Sequence, residues 1–169
     1  MDYAIWLRPP EPLYSQIKKV IDDLAVKYSA PQFEPHMTLQ LAVNKDLSEV
    51  KEKVNKLAET ISSIELSLGP ISFSTTYFQS VFIRVNSTAS LMQLNLDAKK
   101  ILGEENSVFM PHISLLYGDH DMATREKVSE EINLPTTSFG VKEFIITPAT
   151  LNPDEWQTLA TIPFNINTI

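Results

Sequence analysis

Cysteine is absent from this 169-residue sequence, and histidine occurs only three times. The absence of cysteine excludes disulfide scaffolds, thiolate catalysis and cysteine-based zinc sites, and three histidines are too few for a histidine-rich metal cage. Basic side chains are also scarce, with 14 lysines and arginines against 21 acidic residues. This balance argues against an extended nucleic-acid-binding face, which needs clustered basic residues.

Long apolar runs are missing too. No uninterrupted stretch approaches the roughly 18 residues that a membrane span needs, and the first residues lack the basic start and apolar core of a signal peptide. We therefore expect a cytoplasmic protein that has no membrane contact and that requires no metal or cofactor. The chain is long enough for one domain with a substantial core.

A duplication is visible around two of the histidines. Phe33-Glu-Pro-His-Met-Thr-Leu39 aligns without gaps on Phe109-Met-Pro-His-Ile-Ser-Leu115, at an offset of 76 residues. The Phe, Pro, His and Leu positions are identical, and threonine against serine keeps the hydroxyl group. Such agreement around a second histidine is not expected by chance, so internal repetition is the simplest interpretation.

The same offset relates the elements around these stretches. Strand-like segments at Tyr3–Arg8 and Gln79–Arg84 precede them. Apolar residues at helical spacing follow each strand, over residues 13–28 and 91–101, and Gly103 marks the end of the second helix.

A second helix and a closing strand complete each half. Asp46 with Glu49 resembles a capping box, Thr124 is predicted to cap the shorter equivalent helix, and closing strands are predicted around 64–73 and 141–147. A last strand, 156–164, has no counterpart. The sequence therefore predicts a single α+β domain, residues 1–169, of two pseudo-twofold-related β-α-β-α-β lobes. The repeats cover approximately residues 2–74 and 78–150, and we expect their antiparallel sheets to flank a central cleft.

The paired motifs are suited to phosphodiester hydrolysis. Residues two apart in a strand share a face, so His36 with Thr38, and His112 with Ser114, are expected to meet across the cleft. An imidazole has an ordinary pKa near 6.5, so one histidine can act as general base on water and the other as general acid on the leaving oxygen. The hydroxyls can bind the phosphate oxygens. A single His-x-Thr segment is usually structural, but packing alone gives no reason to keep this pair twice.

At these residues the sequence resembles the two-histidine (2H) phosphoesterase superfamily, which is defined by two His-x-Thr/Ser motifs in a bilobal fold. Within it, the chain is most similar to the cyclic phosphodiesterase family of plants and yeast. The similarity spans nearly the whole chain and is carried by Ala4-Ile-Trp-Leu-Arg-Pro-Pro10, Phe33-Glu-Pro-His-Met-Thr38, Tyr77-Phe-Gln-Ser-Val-Phe82 and Pro111-His-Ile-Ser-Leu-Leu-Tyr117.

This resemblance implies hydrolysis of ADP-ribose 1″,2″-cyclic phosphate, a by-product of tRNA splicing, to ADP-ribose 1″-phosphate. It also implies conversion of nucleoside 2′,3′-cyclic phosphates to 2′-phosphates. In the family pattern His112 is the base and His36 the acid, although the symmetry of the motifs does not itself assign these roles. Thr38 and Ser114 would bind phosphate, and Trp6 and Tyr117 would line the pocket.

Several points stay open at the level of sequence. Strict alternation from His112 places Tyr117 on the face away from the cleft, unless the strand ends first. Trp6 can stack on a base or pack in the core, and Arg8 and Arg84 can pair with phosphate or lie on the surface. The segment 119–121 is predicted to be a polar turn rather than a metal site, and Ser80 stands where the plant enzymes carry a cysteine.

The main hypothesis is that the protein is a monomeric enzyme that acts on a small cyclic-phosphate nucleotide. Two other functions compete with it. One is an RNA-end-processing phosphodiesterase related to the 2′-5′ RNA ligases, which the acidic balance disfavours. The other is a nucleotide-binding module that keeps the cleft without turnover.

Overall fold

The computed structural model of the chain describes residues 1–104 and 106–165. Within these ranges the helices and strands, in chain order, are β1 Tyr3–Leu7, α1 Leu13–Tyr28, β2 Met37–Ala42, α2 Leu47–Ala58, β3 Ile64–Phe73, β4 Val81–Val85, α3 Ala89–Leu102, β5 His112–Leu116, α4 Met122–Glu131, β6 Ser138–Val141, β7 Glu143–Pro148 and β8 Ala160–Pro163. None of the helices in these ranges is long and apolar enough to cross a bilayer.

The strands form two antiparallel sheets of four strands each, in the orders β2-β1-β7-β8 and β5-β4-β3-β6. The predicted α+β architecture with two antiparallel sheets is confirmed. β1 and β2 of the first half occupy the same places in their sheet as β4 and β5 do in the other. The two His-x-Thr/Ser segments therefore lie on equivalent edge strands, β2 and β5.

The two halves exchange their closing strands. β3, from the first half, pairs with β4, and β7, from the second half, pairs with β1. Each sheet thus contains strands from both halves, whereas the sequence suggested that each half would form its own lobe. The reason is non-local: a closing strand carries no signal of which edge it will join. This exchange ties the two lobes together through backbone hydrogen bonds.

The longest helices follow the predicted periodicity. α1 buries Leu13, Ile17 and Ile21 against the sheet, and α3 begins at Thr88, whose hydroxyl accepts a hydrogen bond from the Leu91 amide at 3.2 Å. Gly103 ends α3 with a φ of 77°, a left-handed conformation that favours glycine. The predicted end of this helix is confirmed.

The two predicted helix caps have different outcomes. Asp46 is the N-cap residue of α2, but its side chain makes no capping hydrogen bond, and Glu49 pairs with Lys53 at 2.9 Å. In α4 the cap is Asp121, whose carboxylate accepts a hydrogen bond from the Thr124 amide at 2.8 Å. Thr124 therefore lies inside the first turn of α4 rather than at its cap.

The last predicted strand is shorter than expected. β8 begins only at Ala160, and a single 3-10 turn at Pro153–Glu155 precedes it. Trp156 directly follows this turn, and its indole nitrogen donates to the Thr150 carbonyl at 2.9 Å. The Asn152-Pro153 dipeptide is a turn signal in the sequence.

Candidate active site

A cleft of about 500 Å³ lies between the two sheets, within the range that small-molecule sites occupy. His36, Thr38 and His112 line it together with Trp6 and Tyr117. The structure thus brings five of the six predicted site residues to one cavity. The sixth, Ser114, is not among the residues that line this cleft.

Each histidine ring is held by a backbone carbonyl two residues before it. Nδ1 of His36 lies 2.6 Å from the Glu34 oxygen, and Nδ1 of His112 lies 2.7 Å from the Met110 oxygen. A carbonyl only accepts hydrogen bonds, so Nδ1 carries the proton in both rings. The Nε2 atoms of the two neutral rings are thereby left as the proton-accepting nitrogens.

Burial keeps both imidazoles from gaining a proton easily. The His36 side chain is 8% exposed, and desolvation lowers its pKa to about 4, with smaller contributions from the positive charges of His112 and Arg8. Burial also lowers the pKa of His112, and the charge of Arg84 acts in the same direction. The shift at His36 reflects a drier environment in an otherwise symmetric pair.

The aromatic neighbours explain this difference. Trp6 stacks on His36, with ring centroids 3.7 Å apart and planes 12° from parallel. Phe82 occupies the equivalent position in the second half, but it meets His112 edge-on, at 5.3 Å and 68°. A stacked indole excludes water from one whole face of the His36 ring, whereas an edge contact does not.

The two hydroxyls are not equivalent either. Thr38 is half-buried in the cleft, and its hydroxyl forms no hydrogen bond to any residue in the described ranges, so it is available to a ligand. Ser114 is 5% exposed, and its hydroxyl donates to the Phe78 carbonyl at 2.8 Å. Its remaining lone pairs can only accept, so Ser114 must release Phe78 before it can donate to a phosphate oxygen.

Tyr117 reaches the cleft because a β-bulge at Leu115 interrupts the alternation of β5: Phe82 pairs with Ser114, whereas the adjacent Val81 pairs with Leu116. Its ring stacks on Phe33, at 3.8 Å and 18°. Burial raises the pKa of the Tyr117 phenol, with the neighbouring Ser114 hydroxyl opposing the shift. Tyr117 is thus a neutral hydrogen-bonding group in an aromatic wall.

Sequence reasoning missed Trp156. The indole meets Trp6 edge-on at 5.8 Å and His36 at 5.7 Å, which closes a second side of the His36 ring. Trp156 was assigned to the final strand, and only the turn signal at Asn152-Pro153 pointed away from that assignment. Gln40 borders the cleft as well, but a β-bulge between Thr38 and Gln40 interrupts the alternation of β2 and pairs Gln40 with the buried Ile5 of β1.

Arg8 and Arg84 do not line the cleft. The Arg8 guanidinium lies over the Tyr14 ring at 5.8 Å, and Arg84 lies over Phe82 at 5.7 Å. Each nevertheless lowers the pKa of the histidine in its own half. Their position favours an electrostatic influence on the imidazoles over direct contact with a phosphate.

The Asp119-His120-Asp121 segment, for which a polar turn was expected, is an irregular loop that connects β5 to α4. Asp121 caps α4, and Nε2 of His120 lies 3.2 Å from the Tyr117 carbonyl. Across residues 1–104 and 106–165, no three His, Asp or Glu side chains are grouped so that they could hold a metal ion.

The amino-acid sequence of this chain matches a protein-family model and a known protein. A family model described as cyclic phosphodiesterase-like protein matches residues 1–162. A relative from Arabidopsis thaliana, named cyclic phosphodiesterase, is 24% identical over 130 residues, which cover 76% of this chain and 72% of the relative.

Solved structures share the whole fold at low identity. The protein TT0787 of Thermus thermophilus matches with a TM-score of 0.67 and 15% identity, covering 97% of this chain and 98% of that one. Escherichia coli LigT, in a complex with 3′-AMP, matches with a TM-score of 0.65 and 16% identity, covering 96% and 97% of the two chains. The α+β fold of two antiparallel sheets is therefore shared with these solved structures.

Proposed function

Since the chain belongs to the cyclic phosphodiesterase-like protein family, we propose that it hydrolyses the cyclic phosphates of small nucleotides. Family membership and the shared fold support phosphodiester hydrolysis. The finer proposal is that nucleoside 2′,3′-cyclic phosphates open to 2′-phosphates, and ADP-ribose 1″,2″-cyclic phosphate opens to ADP-ribose 1″-phosphate. It is carried by one observation: two imidazoles, each with Nδ1 bound to a carbonyl and Nε2 free, line one nucleotide-sized cleft.

The proposed reaction needs only these two rings and one water. One neutral Nε2 removes a proton from the water as its oxygen forms a bond to phosphorus. The bond from phosphorus to O3′ (O2″ in the ADP-ribose substrate) breaks, and the second, protonated imidazole gives its proton to that oxygen. The unpaired hydroxyl of Thr38 is placed to donate to a phosphate oxygen as negative charge moves onto it.

The burial of His36 bears on which histidine acts as the acid and which as the base. In the free protein His36 is neutral at pH 7, because burial lowers its pKa to about 4. For His36 to be the acid, as the family resemblance implies, the bound phosphate must raise its pKa. An anion in the cleft does this, since it favours the charged form of a nearby imidazole.

Relatives support a small nucleotide substrate. Crystal structures of LigT from E. coli are described as complexes with 3′-AMP, with NADP+ and with ATP. A cleft of about 500 Å³ accommodates a ligand of this kind. The net charge of −7 disfavours the competing RNA-end-processing function, because gripping an RNA backbone requires a basic groove.

Phosphorus NMR of the purified protein tests the proposal. We expect ADP-ribose 1″,2″-cyclic phosphate and 2′,3′-cyclic AMP to give new monoester signals, in EDTA as well as without it. His36→Ala and His112→Ala should each lower kcat by about 100- to 10,000-fold, with unchanged circular dichroism. His120→Ala makes the same change outside the cleft and is expected to retain turnover.

The outcomes separate the alternatives. Binding without any monoester signal would identify a non-catalytic module. Faster cleavage of an RNA with a cyclic end than of 2′,3′-cyclic AMP would favour the RNA-processing function. Loss of turnover on chelation would refute the metal-independent mechanism.

A leaving-group comparison assigns acid and base. Catechol cyclic phosphate expels a phenolate that needs little protonation, so loss of the acid should matter less for it than for a ribose substrate. If His36 is the acid, His36→Ala should retain far more activity on the catechol substrate than His112→Ala does. The opposite ranking would reverse the assignment.

A further inference from the structure

Arg125 is a charged side chain inside the protein that the proposed reaction does not use. It lies on α4 and is 2% exposed. Its guanidinium donates hydrogen bonds to four backbone carbonyls, all of them neutral acceptors. Burying a charged group is costly, and neutral acceptors offset that cost only in part. The location of these four carbonyls therefore bears on what Arg125 does.

The four carbonyls belong to two loops that meet beside the cleft. Nη1 donates to the carbonyls of Ser74 and Thr76, at 2.7 and 2.8 Å, in the loop between β3 and β4. Nε and Nη2 donate to the carbonyls of His120 and Gly118, at 2.7 and 3.2 Å, in the loop that follows β5. A planar guanidinium fixes the directions of these bonds together. Arg125 thus holds one loop against the other.

The first of these loops is closed into a turn over residues 74–79. The hydroxyl and the backbone amide of Ser74 both donate to the Gln79 carbonyl, at 2.7 and 3.1 Å. The Gly118 amide donates to the Tyr77 carbonyl at 3.1 Å, which adds a direct bond between the two loops. The guanidinium therefore fixes where a closed turn lies relative to the end of β5.

The two loops hold Tyr117 from two sides. Tyr117 directly precedes Gly118, whose carbonyl accepts a hydrogen bond from the guanidinium. Its ring meets the ring of Phe78 edge-on, with centroids 5.1 Å apart, and the Phe78 carbonyl accepts a hydrogen bond from the Ser114 hydroxyl of β5 at 2.8 Å. Phe78 and Tyr117 both line the cleft. The position of the turn relative to β5 therefore decides where the phenol of Tyr117 lies.

Neither the phenol nor the arginine recurs at the equivalent positions of the first half. The 76-residue offset relates Tyr117 to Leu41, an apolar residue, and Arg125 to Glu49. Glu49 is partly exposed and pairs with Lys53 at 2.9 Å. Tyr117 and Arg125 thus occur together in one half, among the features that distinguish the two walls of the cleft.

We propose, on the basis of the function proposed above, that Arg125 is a positioning residue of the active site. By holding the turn over residues 74–79 against the loop after β5, it places the Tyr117 hydroxyl for contact with the substrate. Arg125 itself is not among the described residues that line the cleft, so it acts through Tyr117. A displacement of about 1 Å in such a contact is enough to slow catalysis strongly.

The test is a double-mutant cycle between Arg125 and Tyr117, with kcat/KM for 2′,3′-cyclic AMP as the measured quantity. Arg125→Lys keeps the charge but cannot span four carbonyls, and we expect it to lower kcat/KM by about tenfold. In the Tyr117→Phe background, which lacks the phenol hydroxyl, the same change should lower kcat/KM by less than about twofold.

Two other variants separate this effect from a loss of folding. Ser74→Ala removes the hydroxyl that closes the turn and leaves the buried arginine intact. It should lower kcat/KM in the wild-type background and leave it unchanged in Tyr117→Phe. Val128→Ala is the matched control, because it removes buried methyl groups from the same helix without changing a hydrogen bond of Arg125. We expect it to keep the wild-type kcat/KM, and circular dichroism checks that each variant is folded.

Equal losses from Arg125→Lys in the two backgrounds would indicate a general loosening of the fold and would overturn the proposal. No loss from Arg125→Lys, or a wild-type kcat/KM for Tyr117→Phe, would overturn it as well.

If the wild-type protein does not hydrolyse 2′,3′-cyclic AMP or ADP-ribose 1″,2″-cyclic phosphate, the proposed function fails. The role of Arg125 is then decided by calorimetric binding of 2′-AMP. Arg125→Lys should weaken this binding by about tenfold in the wild-type background and by less than about twofold in Tyr117→Phe. Equal effects in both backgrounds, or unchanged binding, would refute the positioning role.

Discussion

Acid titration of His36 connects the burial of the cleft to the stability of the whole protein. The pKa of His36 is lowered from 6.5 to about 4 by folding. The unfolded chain therefore binds more protons than the folded chain between these two values, and stability must rise with pH across that window. The contribution of this group is fully present above pH 6.5 and is lost as the pH falls towards 4.

The size of the effect follows from the two pKa values. For one group that titrates at 6.5 unfolded and at about 4 folded, the linkage relation gives a loss of about 2 kcal/mol at pH 5 and about 3 kcal/mol at pH 4. The lowered pKa of His112 acts in the same direction. A loss of this size is a large part of the stability of an ordinary domain.

Urea unfolding at pH 7 and at pH 5 measures this loss. His36→Asn is the matched variant, because its amide can still donate to the Glu34 carbonyl but does not titrate. We expect the wild-type protein to lose about 2 kcal/mol more than His36→Asn between the two pH values. Proton NMR of the three histidine rings, assigned by single substitutions, gives the pKa of His36 directly.

Equal pH slopes for the wild type and His36→Asn would refute this reasoning, as would a His36 ring that titrates near 6.5. Either result would mean that water reaches the imidazole in the free protein. The stack of Trp6 on His36 would then not isolate the ring.

Two further predictions follow from other contacts. Trp6→Leu should raise the pKa of His36 by at least about one unit, because it removes the ring stacked 3.7 Å away. Trp6→Phe should raise this pKa less. An unchanged NMR titration of His36 in both variants would contradict the explanation. Arg125→Met should lower the free energy of unfolding by at least about 3 kcal/mol, because the buried guanidinium donates to four backbone carbonyls of residues 74–76 and 118–120. A loss below about 1 kcal/mol in urea unfolding would show that these carbonyls find other partners.

Much of the local structure was predictable because it depends on neighbours in sequence. The helices α1 and α3 were visible in their apolar spacing, and the end of α3 was visible in Gly103. The placement of His36 and Thr38 in one cleft followed from strand alternation together with the duplication. Capping was less predictable: Asp46 occupies the N-cap position of α2 without a side-chain hydrogen bond, and Asp121 rather than Thr124 caps α4.

The cleft itself depends on contacts between distant segments. Tyr117 enters it because a β-bulge in β5 shifts the alternation. Trp156 contacts His36 although it lies 120 residues further along the chain. Ser114 has a sequence position equivalent to that of Thr38, but the Phe78 carbonyl engages its hydroxyl. No pattern among neighbouring residues in the sequence predicts these long-range contacts.

The sequence by itself determined the repeated His-x-Thr/Ser segments and the types of the main elements, because these follow from short-range periodicity and from an alignment of the chain with itself. Only the tertiary structure decided that the halves exchange their closing strands and that the pKa of His36 falls to about 4. It also decided that a β-bulge in β5 turns Tyr117 into the cleft. These features arise from burial and from hydrogen bonds between residues far apart in the chain, and neither is encoded in the spacing of the residues.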